Sequence, residues 1–277
     1  MNLHLRIAEK WPGAFAGLNT EFVFYPEGRN TGDLIADGRI HLGGTGSTPP
    51  IITEAAGRKV TYLAASTPRP ANGALLVAPN SPIETIADVA GKRIALIDGS
   101  FHTYLLAKTL EQAGLGLGDV IRHEMSPARS RAALLNGEVD VWIAMAPQLD
   151  QALTSGEARL LSLCGSVIPN RSTFWTLKDA DVSDDELRVF VRELIAIGRK
   201  IAAEPEKAAD ILAGSDSSGT DRAAWKKVIV GRDWQIVPAS AALIAEQQAE
   251  ADTFHRHGDL AGPVHITSFL ALEPADA

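Results

Sequence analysis

Two short segments rich in small, hydroxyl-bearing residues could bind an anion. The first is Gly43–Ile51, with the sequence GGTGSTPPI, and the second is Gly99–His102, with the sequence GSFH. Each is predicted to lie between a strand and a helix, where the first backbone N–H groups have no partner within the helix. The helix dipole also favours negative charge at that end. Together they predict a clamp for a small oxyanion, which is typical of a solute-binding protein more than of an enzyme.

Four side chains in these segments are candidate anion donors. Ser47 and Thr48 lie in the first segment, and Ser100 and His102 lie in the second. The same hydroxyl groups could instead cap the following helices, which need the same residue types. His102 could equally be a capping or cleft-wall residue, and because a helix N-terminus disfavours imidazolium, we expect it to be neutral.

Three residues further along the chain are weaker candidates for ligand contact. Arg232 could pair with an oxyanion through its planar guanidinium, or form a surface salt bridge with Asp233. Trp234 could stack on the body of a ligand, although core packing is at least as common for this residue type. Asn170 follows a proline at a turn and could line the cleft, with a solvated loop as the alternative.

Composition excludes several other classes of function. The 277 residues carry a net charge of −8 without a Lys/Arg-rich run, which argues against a nucleic-acid partner. The single cysteine, Cys164, lies in an apolar run and is expected to be a buried small hydrophobe. His255 and His257 are two residues apart and would face different sides of a helix, so we expect neither a metal nor a cofactor.

Apolar runs alternate with helical patterns, which predicts an α/β protein. The predicted strands are 21–25, 39–43, 60–64, 73–77, 92–97, 120–123, 139–144 and 158–164. The predicted helices are 31–37, 49–56, 85–89, 101–113, 127–135, 184–203 (capped by Ser183), 205–212, 221–230 and 240–256. Two crossovers, near 77–82 and 172–178, would divide the chain into one lobe of residues 1–79 and 176–277 and a second lobe of residues 80–175. Ligands of open α/β sheets bind beyond the strand C-terminal ends, which predicts a site in the cleft between the lobes.

A set of motifs in order along the chain resembles the aliphatic-sulfonate and taurine group of ABC-transporter substrate-binding proteins. The matching segments are Gly46–Ile51, Ser81–Ile83, Ala87–Arg93, Gly99–Leu106, Gly137–Trp142, Gly231–Trp234, Glu246–Gln248 and Ala251–Phe254. Nitrate and pyrimidine-precursor binders share this framework, so it does not identify one ligand. The resemblance implies an α/β, two-lobed periplasmic binding protein type II fold, also called a Venus flytrap, with two crossovers and a hinge.

The same resemblance implies a function without chemistry. The protein would bind an organic sulfonate, close on it and deliver it to an ABC permease, acting as a periplasmic monomer. Ala146 stands where the family often has an aspartate, which disfavours a taurine-like zwitterion. Phe101 adds a bulky apolar wall where the family has a small residue. These departures imply a ligand with an apolar or aromatic body and an anionic head.

The N-terminal segment departs from the family pattern. Residues 5–11 resemble the family's first helix, although Leu3, Leu5 and Ile7 alternate as a first strand would. We favour the helix, in which case a central strand and a ligand-contacting loop would lie upstream of Met1. The start also lacks the basic and apolar regions of a signal peptide. A trimmed export signal, a truncated start and a cytoplasmic protein all remain open.

Two other functions compete with transport. Aryl-sulfinate desulfinases and thiamine-pyrimidine synthases resemble this family and work in the cytoplasm. Their cysteine nucleophile or cysteine-rich motif has no counterpart before Cys164. A cytoplasmic ligand sensor is the third possibility, and it predicts binding without a permease partner.

Overall fold

A computed structural model describes residues 2–215 and 220–272. The chain divides into a first unit, made of Met1–Thr67, Arg171–Ala249 and Val264–Ala277, and a second unit, made of Pro68–Asn170 and Glu250–Pro263. These boundaries differ from the predicted ones at residues 79 and 175. One reason is that Gly73–Val77 hydrogen-bonds into the sheet of the second unit.

The strands follow the α/β pattern of the sequence. They are β1 (Gly43–Gly46), β2 (Val60–Ser66), β3 (Gly73–Val77), β4 (Arg93–Leu96), β5 (Ile121–Glu124), β6 (Val141–Met145), β7 (Arg159–Leu163), β8 (Ser172–Leu177) and β9 (Ile236–Pro238). The first unit has an antiparallel sheet in the order β1-β8-β2-β9. The second unit has a mixed sheet in the order β5-β4-β6-β3-β7, in which β5, β4 and β6 are parallel.

Helices connect and cover these strands. They are α1 (Leu3–Lys10), α2 (Thr31–Ala36), α3 (Thr48–Ala55), α4 (Phe101–Glu111), α5 (Pro127–Leu135), α6 (Gln148–Thr154), α7 (Asp184–Ala203), α8 (Pro205–Ser215), α9 (Arg222–Val230) and α10 (Ala241–Arg256). Short 3-10 turns occupy Gly28–Asn30, Ile86–Val89, Leu117–Asp119 and Cys164–Ser166. None of the helices in the described ranges combines the length and apolar character needed to cross a bilayer.

Several boundaries agree with the prediction because local signals set them. Helix α7 begins after Ser183, whose hydroxyl accepts the N–H of Glu186, while the Glu186 carboxylate accepts the N–H of Ser183 at 2.9 Å. This reciprocal capping box satisfies two amides that the helix leaves unpaired. Helix α1 confirms the helical interpretation of the N-terminal segment, and Asn2 caps it by accepting the N–H of Leu5.

The predicted strand at residues 21–25 is wrong. This segment is irregular, and its apolar side chains are held by ring contacts instead of backbone pairing. Phe22 packs edge-on against Phe15, and the guanidinium of Arg6 lies 4.6 Å from the ring centre of Phe24. The apolar run predicted a buried strand. In the structure Val23 and Phe24 are instead each 40% exposed.

Other differences concern short elements. The strand predicted at 39–43 begins only at Gly43, because the glycine-rich residues themselves pair with β8. Strands β8 and β9 and helix α6 were not predicted from the sequence. Residues 172–178 were predicted to form a crossover, but Ser172–Leu177 is a strand that pairs with β1 and β2. Strand β9 and helix α6 are short, and β9 pairs with only three residues of β2.

Candidate functional site

Two glycines of the first segment, Gly43 and Gly44, serve close packing. A Cβ atom added at Gly43 would lie 2.3 Å from the Thr31 Cγ2 atom of α2, and one at Gly44 would lie 2.9 Å from the Leu5 Cδ1 atom of α1. Side chains at these two positions would therefore displace the helices that cover β1. Nothing lies within 4 Å of a Cβ atom added at Gly46, so close packing does not account for this third glycine.

Ser47 stands at the N-cap of α3, but its side chain makes no capping hydrogen bond. The sequence explains why. An N-cap side chain accepts from the second or third helical N–H, and these positions are Pro49 and Pro50, which have no N–H. The capping alternative is therefore wrong for Ser47, whose hydroxyl accepts no hydrogen bond from the N–H groups of α3.

The same prolines limit the backbone donors of this turn. Pro49 and Pro50 carry no N–H, so the backbone N–H groups at the start of α3 belong to Ser47 and Thr48. Both residues are held close to the interior, with exposed fractions of 6% and 1%. The first-unit turn thus offers few donors, placed on two adjacent residues.

Thr45 fixes the strand that leads into this turn, and the sequence analysis missed it. Its hydroxyl accepts the indole N–H of Trp175 at 2.9 Å and donates to the carbonyl of Gly46 at 2.7 Å. Trp175 lies on β8, opposite Gly43. This buried bond ties the edge strand β1 to its neighbour and so positions Ser47.

Ser100 behaves differently at the start of α4 in the second unit. Its hydroxyl oxygen accepts the N–H of His102 at 3.2 Å, and the hydroxyl donates to the carbonyl of Ile97 at 2.6 Å. The capping role is therefore confirmed for Ser100. A ligand could accept its hydroxyl proton only if the bond to Ile97 were broken.

His102 closes the same turn from the inside. It is 2% exposed, and its Nδ1 atom accepts the N–H of Ile97 at 3.1 Å. The proton of the neutral ring therefore lies on Nε2, which is buried and has no partner among the described residues. Burial lowers the pKa of His102 to about 3, so the ring is neutral, as the sequence analysis expected.

Phe101 packs inside the second unit. It is 6% exposed, and its ring centre lies 4.5 Å from that of His102 in an edge-on arrangement. A Cβ atom at Gly73 of β3 would lie 3.0 Å from the Phe101 ring. The glycine at position 73 therefore leaves space for this ring. That Phe101 forms a wall facing the ligand stays a prediction.

A carboxylate stands beside this turn, and sequence reasoning missed it. The Oδ1 atom of Asp98 accepts the N–H of Gly99 at 3.1 Å and the hydroxyl of Thr103 at 2.8 Å. The guanidinium of Arg122 also donates to this oxygen, at 3.1 Å, and pairs through two bonds with Asp259. Asp98 and Asp259 are 24 and 137 residues from Arg122 in the sequence, so no short sequence motif predicts these ion pairs.

Asn170 belongs to a separate cluster in the second unit. It is 2% exposed with φ of 48°, a left-handed conformation that asparagine tolerates. Its backbone and side-chain oxygens accept from Arg69 at 2.8 and 3.1 Å, and its Nδ2 atom lies 3.6 Å from the Cys164 sulfur. The solvated-loop alternative is wrong, and the described contacts give Asn170 a structural role.

Arg232 and Trp234 lie together in the first unit. Trp234 is 1% exposed, donates its indole N–H to the carbonyl of Ile229 at 2.7 Å and packs edge-on against His4. The guanidinium of Arg232 lies 4.9 Å from the centre of the Trp234 ring. Burial lowers the pKa of Arg232 to about 10. Trp234 thus packs in the core of its unit, with Arg232 on its face.

The described residues offer little for covalent or metal chemistry. Within 2–215 and 220–272, no group of three or more His, Cys, Asp or Glu residues could hold a metal ion. Cys164 is fully buried, as expected, and its sulfur lies 3.1 Å from the carbonyl oxygen of Pro70. Burial raises the pKa of its thiol, which disfavours the thiolate that a nucleophile needs.

The chain belongs to the family described as NMT1/THI5 like, which matches residues 14–213. A protein of Escherichia coli (strain K12) named for binding aliphatic sulfonates is 39% identical over 140 residues. That alignment covers 50% of this chain and 44% of the relative, so it spans less than half of the relative's length.

Solved structures confirm the expected α/β fold class, periplasmic binding protein type II. The periplasmic aliphatic sulphonate binding protein SsuA from Escherichia coli matches with a TM-score of 0.85 and 27% identity, over 98% of this chain and 90% of that one. The alkanesulfonate-binding protein SsuA from Xanthomonas axonopodis pv. citri, bound to MOPS, matches with a TM-score of 0.81 and 29% identity, over 94% and 89%. The desulfurization enzyme DszB, at 18% identity, a TM-score of 0.65 and coverage of 96% and 92%, shares the fold alone.

Proposed function

We propose that this protein binds an organic sulfonate and serves as the substrate-binding component of an ABC importer. It acts in the periplasm, presents the unchanged ligand to a permease and makes or breaks no bond. The observation that carries the proposal is the Ser47 hydroxyl, which stands at a helix N-terminus and is not consumed by capping. Its occurrence in a chain similar to solved sulfonate-binding proteins supports the ligand class.

The chemistry of a sulfonate suits these groups. A sulfonate head has three acceptor oxygens and one delocalised charge, so it needs several N–H or O–H donors. The Ser47 hydroxyl and N–H group supply such donors in the first unit, where the dipole of α3 favours an anion. The start of α4 in the second unit is a separate turn of the same kind, and its His102 ring is neutral.

The body of the ligand is proposed to be apolar or aromatic. Ala146 supplies no carboxylate to receive an amine, and Phe101 adds an apolar ring to the second-unit turn. A simple alkyl or aryl sulfonate fits this character better than taurine. MOPS, the ligand named for the Xanthomonas structure, carries an amine nitrogen in its ring, so it serves beside taurine as an amine-bearing comparison.

Isothermal titration with alkyl and aryl sulfonates, MOPS, taurine, sulfate and nitrate tests the proposal. We expect S47A to weaken sulfonate binding because a hydrogen bond to a charged group is worth about 1.5–3 kcal/mol, or roughly ten- to a hundredfold in Kd. S155A, which removes an exposed hydroxyl at the end of α6, serves as the matched control. Because the Ser47 side chain caps nothing, S47A should unfold at nearly the wild-type urea concentration.

The outcomes separate transport from the alternatives. Absence of sulfonate binding by the wild-type protein, or equal Kd values for S47A and the wild type, would overturn the proposal. Mass spectrometry of the recovered ligand should show it unchanged. Release of sulfite from an aryl sulfinate would instead establish a desulfinase.

A further inference from the structure

Gly46 stands at the end of β1 with open space beside it. A Cβ atom added there would meet nothing within 4 Å, in contrast to Gly43 and Gly44. Its φ angle is not positive, so its backbone is open to any residue type. Neither packing nor backbone conformation therefore requires glycine at this position, although glycine weakens a strand relative to alanine.

The pairing of β1 with β8 defines the face of the sheet that carries this space. Gly46 lies opposite Ser172, and Gly44 lies opposite Phe174. Side chains of directly paired residues point to the same face, so Ser172 stands beside the space at Gly46. Ser172 is 6% exposed and donates its backbone N–H to the Ser66 hydroxyl oxygen at 3.0 Å. Its own hydroxyl has no hydrogen bond to any residue within 2–215 and 220–272.

Asn2 supplies a second donor on that face. Its Oδ1 atom accepts the N–H of Leu5, which leaves the Nδ2 atom of the amide for another partner. This Nδ2 atom is shielded from water and has no partner in the part of the chain that the structure describes. A Cβ atom at Gly44 would lie 2.9 Å from Asn2 Nδ2 and 2.9 Å from the ring of Phe174. Two buried donors without partners thus lie on the face where Gly46 leaves space.

We propose that the sulfonate head group lies over Gly46 and accepts hydrogen bonds from Ser172 and Asn2. Both residues act together with the neighbouring Ser47, which is also 6% exposed and makes no capping bond. The inference rests on the proposed function and deepens it by naming two further binding residues. A buried donor without a partner is unfavourable, and the apolar atoms around Asn2 offer it no acceptor. The three oxygens of a sulfonate supply these acceptors.

The carbonyl group of Gly46 does not oppose an anion at this position. Its oxygen accepts from the hydroxyls of Thr173 and Thr45, each at 2.7 Å. These two side chains belong to the other face of the sheet, because they alternate with Ser172 and Gly46 along their strands. The negative end of the carbonyl dipole is therefore compensated by two donors on that other face.

The substitution S172A tests the assignment through its separate effects on binding and stability. We expect it to raise the Kd of ethanesulfonate and of benzenesulfonate about tenfold or more in isothermal titration, because a hydrogen bond to a charged group is lost. Removing a buried hydroxyl without a partner should leave the unliganded protein at least as resistant to urea as the wild type. S268A, which removes a hydroxyl bonded to Thr61 in the same unit, is the matched control and should keep the wild-type Kd.

N2D and G46A extend the test to the other two positions. Aspartate caps a helix as well as asparagine does, but it replaces the Nδ2 donor with a charged acceptor, so N2D should raise both Kd values about tenfold or more. N19D, at an exposed residue of the same unit, controls for the added charge. G46A places a methyl group in the open space and should weaken binding of both sulfonates about as much. G214A, whose Cβ also meets nothing within 4 Å, should not.

A wild-type Kd in S172A, N2D or G46A overturns the placement of the head group over Gly46. Equal losses of affinity in S172A and its control S268A also overturn it. Weaker binding by S172A with a matching loss of stability does the same, because Ser172 would then have a structural role. Failure of the proposed function is distinguishable, since the wild-type protein would then bind neither sulfonate.

Discussion

The buried histidine of the second unit should make the protein sensitive to mild acid. The pKa of His102 is about 3 in the folded protein, against an ordinary value of about 6.5. Between these two values the unfolded chain binds a proton that the folded chain does not. The free energy of unfolding therefore falls as the pH is lowered through 6.5 towards 3.

The magnitude follows from the two pKa values. At pH 8 the ring is neutral in both states and contributes no pH dependence. At pH 5 it is almost fully protonated when unfolded and neutral when folded, which lowers the free energy of unfolding by about 2 kcal/mol. The cause is that the whole ring is shielded from water, which disfavours its charged form.

Urea unfolding at pH 8 and pH 5 measures this contribution in the wild-type protein and in H102N. An asparagine oxygen can replace Nδ1 as the acceptor for Ile97 but does not titrate. We expect the loss of stability between the two pH values to be about 2 kcal/mol smaller in H102N. H265N, at an exposed histidine, should lose as much stability as the wild type. Equal losses in H102N and the wild type would refute the reasoning.

Three further predictions concern packing and burial. In urea unfolding, G198A should destabilise the protein by about 1–2 kcal/mol, because its Cβ would lie 2.3 Å from a backbone carbonyl oxygen. G214A has open space around its Cβ and should instead stabilise the protein by about 0.5–1 kcal/mol. T45V should cost about 1–3 kcal/mol by leaving the indole N–H of Trp175 unpaired, and T45S should restore most of this loss. Cys164 should react with a thiol reagent only as fast as the protein unfolds; rapid labelling of the native protein would contradict its burial.

The sequence predicted the elements whose signals are local. Helix α7 carries its own capping box, and β3 is a fully buried run that begins at a glycine. The strand predicted at residues 21–25 was wrong, because an apolar run indicates burial but does not supply a neighbouring strand with which to pair. The short strand β9 was not predicted, because it is defined by its pairing with β2, whose residues lie more than 150 positions earlier in the chain.

The candidate site divides in the same way. Ser47, Ser100 and His102 were found because each stands at a predicted strand-to-helix turn. Asp98 was not singled out, because the ion pair with Arg122, which Asp259 shares, forms only in the folded chain.

The two turns show that a serine at a helix N-cap can have two different roles. Ser47 and Ser100 each stand at a helix N-cap, yet only Ser100 caps its helix through its side chain. The difference lies in the residues that follow, because two prolines after Thr48 remove the N–H groups that the Ser47 hydroxyl would otherwise bind. A proline pair at the second and third helical positions thus leaves an N-cap hydroxyl without its usual acceptor role, which sequence alone can reveal. The Ser47 hydroxyl therefore makes no capping hydrogen bond, and it is the donor on which the proposed oxyanion site rests. In the second-unit turn the Ser100 hydroxyl is already committed to the carbonyl of Ile97 and the N–H of His102.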